Sequence, residues 1–353
     1  MKRIDERDTM FARMNYKKGT KEYNDYYKRN PEKKEMDDNL RNLPNICGEG
    51  TATFNPIHSP IADAGFKFLG DINKYVDGEV NKNKVDINPD TMTKKIKKLT
   101  KYFGAKLVGI TKMKDNHYYS HRGRQRENYG DEVNNMNKYG IVFAVEMDKN
   151  MINRAPQVEE VIEVTKGYIN AAVIGMWLNN YLRELGYNSR NHMDGNYLVI
   201  APLVALEAGL GEIGRNGLLI TREYGQRVRL GVVTTDMPLL TDDKEDFGIE
   251  EFCKICGKCA RTCPGKAIPK GDTKEINGQN RWQINQEDCY KMWRSLGTDC
   301  GICIATCPFS QDVPLDLVNN MKGSKNIMEK ILKWDEENNG IRNYTKKPLD
   351  LLK

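Results

Sequence analysis

Much is missing from this chain, and each absence narrows its function. No apolar run approaches the ~18 residues that a membrane helix requires. Charged residues make up 29% and mean hydropathy is -0.69. The amino-terminal stretch MKRIDERDTMFAR has neither an apolar core nor a twin arginine, so it does not read as an export signal, and a cytoplasmic location is expected. Charge of one sign is never concentrated. The net +6 is spread along stretches such as Lys94, Lys95, Lys97 and Lys98, which read as a solvated helix face. A nucleic-acid binder would show a gathered basic surface, so none is expected as partner. Dispersed positive charge suits docking of an acidic electron carrier, where complementarity mainly raises the association rate. Histidine is scarce, with four in 353 residues.

Cysteine is the exception. Eight of the nine fall in two carboxy-terminal blocks. The first is Cys253-x2-Cys256-x2-Cys259-x3-Cys263-Pro264, and the second is Cys289-x10-Cys300-x2-Cys303-x3-Cys307-Pro308. C-x2-C-x2-C-x3-C-P is the bacterial ferredoxin run, whose fourth cysteine ligates the other cluster. The second block is the same unit with its first cysteine displaced upstream. One [4Fe-4S] cluster is therefore assigned to Cys253, Cys256, Cys259 and Cys307, the other to Cys289, Cys300, Cys303 and Cys263. Structural zinc also uses C-x2-C pairs, but would not need two C-x3-C-P steps that exchange ligands. Disulfides suit small scaffolds in oxidising compartments. Cys47 stands alone and reads as a buried apolar residue.

Upstream, strands are expected at 107–110, 141–145, 197–200 and 230–234. Helices are expected from Asp90 or Thr91 and over Val158–Leu185, where apolar residues recur mostly at three and four and Gly186 follows. Residues 46–65 read as an extended loop and 188–196 as a turn-rich loop. Gly209-Leu210-Gly211-Glu212-Ile213-Gly214 matches the dinucleotide fingerprint, but a helical segment precedes it and LLIT, a strand, follows, the reverse of the required order. These glycines are instead expected to admit another flat cofactor closely.

Several ordered blocks resemble the corrinoid-dependent reductive dehalogenases: FARMNYKKGTKEYNDYYKR, TATFNPIHSPIADAGFKFLGDI, LVGIT, YGIVFAVEMD, AGLGEIGRNGLLITREYGQRVRL, EEFCKICGKCARTCP and GTDCGICIATCPF. The resemblance implies an α/β, nitroreductase-like corrinoid-binding core with a ferredoxin-like two-cluster module. It divides the chain into a helical and extended-loop region (1–89) packing on the core, the corrinoid domain (90–240), the cluster domain (241–316) and a tail (317–353). It implies a base-off corrinoid, an organohalide substrate and a low-potential donor such as ferredoxin or flavodoxin. A membrane-anchor partner and the oligomeric state stay open. It further implies Tyr168 as proton donor, made more acidic by Arg227, with Arg229 as the alternative if the register slips. Trp293 is expected near the substrate, and Gly209, Gly211 and Gly214 at the cofactor.

One position departs from the family. Asp194 falls where an Asn is usual, with Asn191 or Asn196 as substitutes after a small loop shift. A carboxylate there would neutralise the arginine or itself donate the proton. Asp115-x-His117 lacks the Gly that completes the cobalt-ligating D-x-H-x-x-G motif (Ser120 stands there), so a His-ligated corrinoid is not expected. His192 reads as loop surface or pocket. Two other functions remain open: a corrinoid reductase of the epoxyqueuosine reductase type, which Asp194 favours, and an electron-transfer protein with an inactive α/β domain.

Overall fold

The computed structural model describes residues 2–134, 136–276, 278–344, 347 and 349–352. Of the expected tail, residues 345, 346, 348 and 353 lie outside the described residues. Three short helices open the chain: α1 (Met10–Asn15), α2 (Lys21–Arg29) and α3 (Lys34–Arg41). Arg13 in α1 is fully buried and paired with Asp37 at 2.5 Å and Glu287 at 2.6 Å, so this region is tied to the cysteine-rich end. The expected loop over 46–65 ends early, because α4 (Ser59–Ile72) starts with Pro60 in its first turn, a position whose missing N–H costs nothing. Helix α5 (Pro89–Tyr102) is capped by Asn88, whose side chain accepts from the Thr91 amide; the cap is therefore neither Asp90 nor Thr91.

A four-stranded sheet forms the centre, in the order β1 (Leu107–Lys112), β2 (Tyr139–Glu146), β6 (Val228–Thr235), β3 (Ser189–His192). Every pairing is antiparallel. The short strands β4 (Glu212–Ile213) and β5 (Leu219–Ile220) form a separate hairpin. The loop expected at 188–196 holds β3, whose polar sequence SRNH hides a strand buried at every residue. The strand expected at 197–200 is only a single bridge, Tyr118 to Val199.

Strand β2 is apolar from Ile141 to Val145 because both its faces are covered there. Ile141, Phe143 and Val145 meet α5 and α7 (Val158–Glu184), with the four-residue α6 (Lys149–Ile152) just upstream. Val142 and Ala144 meet α8 (Ala201–Glu207) on the other face. Alternation of period two thus supplies two cores from one strand. Each fully buried side chain of this kind contributes about 1.5–3 kcal/mol. Helix α7 crosses closely because Gly167 and Gly175 face the sheet. A Cβ at these positions would stand 2.6 Å from Arg229 Cγ and 2.1 Å from Asn191 Oδ1.

The cysteine-rich end consists of α9 (Ile249–Cys256), α10 (Lys258–Thr262), the hairpin β7 (Lys274–Ile276) and β8 (Gln279–Arg281), α11 (Gln286–Leu296) and α12 (Ile302–Thr306). The two lobes repeat a turn: Gly257 and Gly301, each directly after a cysteine, adopt φ 56° and φ 60° before α10 and α12. Helices α13 (Leu315–Asn320) and α14 (Lys325–Asn339) cover the first lobe, where Met328 and Ile331 join its core. Among the described residues no helix is long and apolar enough to cross a membrane.

Candidate active site and cluster sites

Cys253, Cys256, Cys259 and Cys307 surround a void of about 20 Å³, bordered also by Arg215, Asn216 and Gln226. Cys307 is electrostatically coupled to the other three thiols of this set, and Cys303 to Cys289 and Cys263. Cys300 is coupled to Cys303 and Cys289. Cys307, from the second motif, thus lines one void with three cysteines of the first. Burial pushes Cys253 and Cys303 up to about 12 and Cys289 to about 11. Thiolates in such surroundings require a positive partner, which an iron–sulfur cluster provides. This donor set fits two cubanes.

Beside the second group lies a cavity of about 260 Å³ lined by Tyr168, Asp194, Tyr197, Arg229 and Ile304 among others. Tyr168, from the middle of α7, borders with the partly buried Cys300 and Cys303 one apolar cluster that includes Met147, Val164 and Ile304. The Arg229 guanidinium stands 4.8 Å from the centre of its ring and pairs with Asp299 at 3.1 Å. Burial pushes the Tyr168 phenol up to about 12, opposed by Arg229 and reinforced by Asp194, Tyr197 and Asp299. The expected acidic tyrosine is thus corrected: the arginine moderates a rise that burial dominates. Glu160, about two turns earlier on α7, is fully buried, and burial and then Asp299 drive its carboxyl well above the ordinary range. Neither Glu160 nor Asp299 stood out in the sequence, although Asp299 adjoins Cys300.

The arginine facing Tyr168 is Arg229, not Arg227. Arg227 is buried one residue before β6, where it donates from Nε to Ser310 O at 2.8 Å and from Nη1 to Met147 O at 2.8 Å. It also pairs with Glu146 at 3.2 Å and Asp312 at 2.8 Å. Arg227 thereby fastens the sheet to the segment after Cys307. Arg227→Ala strands both carbonyls and is expected to lower stability by about 3 kcal/mol, read as a lower denaturation midpoint.

Other expected contacts are also relocated. A Cβ on any of the three glycines would meet protein, Asp243 O at 2.3 Å from Gly209, Ile220 O at 2.1 Å from Gly211 and Ile220 Cδ1 at 2.7 Å from Gly214, and none of the three lines the cavity. Trp293 lies outside the cavity lining and packs against Phe11 and Tyr290, with ring centres 5.7 and 5.9 Å away. Asp194 does reach the cavity, held by Arg124 at 3.1 Å, which also donates to Tyr197 Oη at 3.1 Å. Asn191 and Asn196 lie buried outside that lining. His192 lines the cavity but has no free nitrogen. Nδ1 accepts from Leu198 N at 3.1 Å, so Nε2 carries the proton and faces Thr234 Oγ1 at 2.9 Å.

The single imidazole on the cavity wall is engaged at both nitrogens, and Ala171, Ala172, Ala201 and Pro202 line the cavity with small side chains, a lining that would fit a corrinoid.

Residues 252–311 match the family described as 4Fe-4S dicluster domain. The chain is 38% identical over 178 residues to the tetrachloroethene reductive dehalogenase of Sulfurospirillum multivorans, covering 48% of this chain and 35% of that protein. It is 32% identical over 266 residues to that of Desulfitobacterium hafniense, covering 62% and 48%. An epoxyqueuosine reductase of Lactococcus garvieae is 32% identical over 117 residues, covering 31% of this chain and 32% of that protein. In structure, the catabolic reductive dehalogenase NpRdhA in complex with 3-bromo-4-hydroxybenzoic acid superposes with a TM-score of 0.76 at 23% identity, over 99% of this chain and 49% of that one. The fold is shared along nearly the whole chain, while the chain spans 35% to 48% of the length of the first two relatives. In sequence the chain is thus similar to reductive dehalogenases over part of their length, and it shares the fold of a solved one.

Proposed function

We propose that the chain catalyses reductive removal of halide from an organohalide, with electrons passing through two [4Fe-4S] clusters and the proton coming from Tyr168. The observation that carries this reading is that Tyr168 and Arg229 meet on the wall of the cavity while Tyr168 borders the same apolar cluster as Cys300 and Cys303. A base-off corrinoid bound there supplies a strongly reducing cobalt that breaks the carbon–halogen bond. The cluster of Cys263, Cys289, Cys300 and Cys303 lies on the cavity side; that of Cys253, Cys256, Cys259 and Cys307 lies on the donor side, where a ferredoxin or flavodoxin delivers electrons.

Tyr168 keeps its proton until charge develops in the pocket, because burial holds the phenol up. Arg229 then stabilises the phenolate left behind, since a fixed cation beside a developing anion is worth most where water is excluded. Asp299 holds Arg229 over the ring. Asp194 is the weaker donor candidate, because its carboxyl group is already engaged by Arg124 at 3.1 Å. That pairing also turns the one residue favouring epoxyqueuosine reductase chemistry into a wall of the pocket.

The test is anaerobic reconstitution with iron, sulfide and hydroxocobalamin. Retention of about eight irons and stoichiometric cobalt, a base-off cobalt(II) EPR signal and halide release from an organohalide panel are expected. Iron without retained cobalt would remove the dehalogenase reading and leave an electron carrier.

A further inference from the structure

Two ion pairs set the charge of the cavity wall. Asp194 lines the cavity and pairs with Arg124 Nη1 at 3.1 Å. Arg124 itself is outside the lining, its guanidinium 5.3 Å from the ring centre of Tyr197 and 5.2 Å from that of Phe11. Arg229 is the one cation on the wall among the described residues, and Asp299 pairs with it at 3.1 Å. The uncharged polar groups are engaged too. His192 accepts from Leu198 N and faces Thr234 Oγ1. The Gln226 carboxamide is paired in both directions with Asn216, at 2.9 and 2.8 Å. Tyr119, Leu218 and Leu230 represent the aromatic and aliphatic remainder.

An anion that enters such a pocket sheds its water and meets guanidinium groups already matched by carboxylates. Burying a charge without a partner is costly. An uncharged organohalide incurs no such cost and gains from the apolar part of the wall. Asp194 is also the position at which the chain departs from the Asn that the family resemblance implies. An Asn there would leave Arg124 without this counter-ion and give the pocket a positive bias. The aspartate cancels that bias with a charge of its own on the wall.

We propose that Asp194, with Arg124 behind it, sets the charge specificity of the pocket: uncharged organohalides are admitted, and those carrying a carboxylate or phenolate are turned away. Discrimination is a difference between two affinities, and a penalty on the wrong ligand creates it as well as a contact to the right one. The proposal rests on the reading of the cavity as the organohalide site. It gives Asp194 a task that does not require it to donate a proton.

The test compares two probes of nearly one shape, uncharged 4-fluorobenzamide and anionic 4-fluorobenzoate, by fluorine NMR titration of the reconstituted holoenzyme at neutral pH. Wild type is expected to bind the benzamide about tenfold or more tightly than the benzoate. Asp194→Asn is expected to abolish or reverse that preference, because Arg124 then faces the pocket unmatched. Arg124→Gln is expected to widen it, because the Asp194 charge is then unmatched. Opposite movements of one ratio separate charge from structure, since a merely structural residue would weaken both probes alike. Equal binding of the two probes by wild type, no binding of either, or variants that move both probes together overturns the proposal. If Asp194→Asn does not fold, wild type and Arg124→Gln decide. Halide release from a panel of uncharged organohalides reports separately on the reading beneath. A charge-selective pocket without any halide release would remove the dehalogenase reading, whereas release with no preference between the probes removes only the role of Asp194.

Discussion

Tyr168→Phe is expected to lower the rate of halide release by about 10²–10⁴-fold, the usual worth of a positioned general acid, with iron and cobalt content unchanged. The substitution deletes one hydroxyl and leaves the ring where it packs, 6.4 Å from the Phe66 ring and 4.8 Å from the Arg229 guanidinium. The loss is therefore chemical. Arg229→Met is expected to fall nearly as far, because the buried phenolate would then form without its cation. Arg229→Lys is expected to recover only part of the rate, since an ammonium does not hold the planar contact with Asp299 and the ring together. Arg227→Met is the control. It should lower stability and leave the rate per folded, loaded molecule near wild type. A Tyr168→Phe enzyme at full rate would remove the phenol from the mechanism. Equal rate losses at Arg227 and Arg229 would remove the distinction between them.

The choice between those arginines shows where the sequence stops informing. Arg227 and Arg229 have the same parity on an extended chain, so alternation cannot separate them. What separates them is that β6 begins at Val228, leaving Arg227 at the junction with Ser310 and Asp312. Contacts made across 83 residues of sequence carry no local signal. The two cysteine motifs were legible for the opposite reason, because ligand spacing within each motif is local, and residues 252–311 match a 4Fe-4S dicluster domain. Long apolar periodicity likewise revealed α7, and the β-branched run at 141–145 revealed β2. Strand β3 stayed hidden because its residues are polar. They are buried through specific partners, such as Ser189 Oγ on Asn179 O and His192 on Thr234. The glycines meet a related limit: a need for close approach is readable, but what approaches is not, and the structure adds the protein neighbours Asp243 and Ile220.

The exchanged cysteines yield the second large effect. Cys307→Ala is expected to halve the iron content to about four per chain, although Cys307 sits in the second motif. Its thiol closes the void around Cys253, Cys256 and Cys259, and α12 carries it there from the other lobe. Cys263→Ala is expected to remove the other cluster instead. Double variants separate the groups without assigning a spectrum. Cys253→Ala with Cys307→Ala strikes one group twice and should still retain about four irons, whereas Cys300→Ala with Cys307→Ala strikes both and should retain almost none. The reverse pattern would mean that each motif ligates its own cluster. The two losses also differ in function. With a strong chemical reductant, Cys307→Ala should still release halide, because the cluster packed against Tyr168 survives. Cys263→Ala should not, because electrons arriving at the donor side no longer have a cluster beside the cavity to pass through.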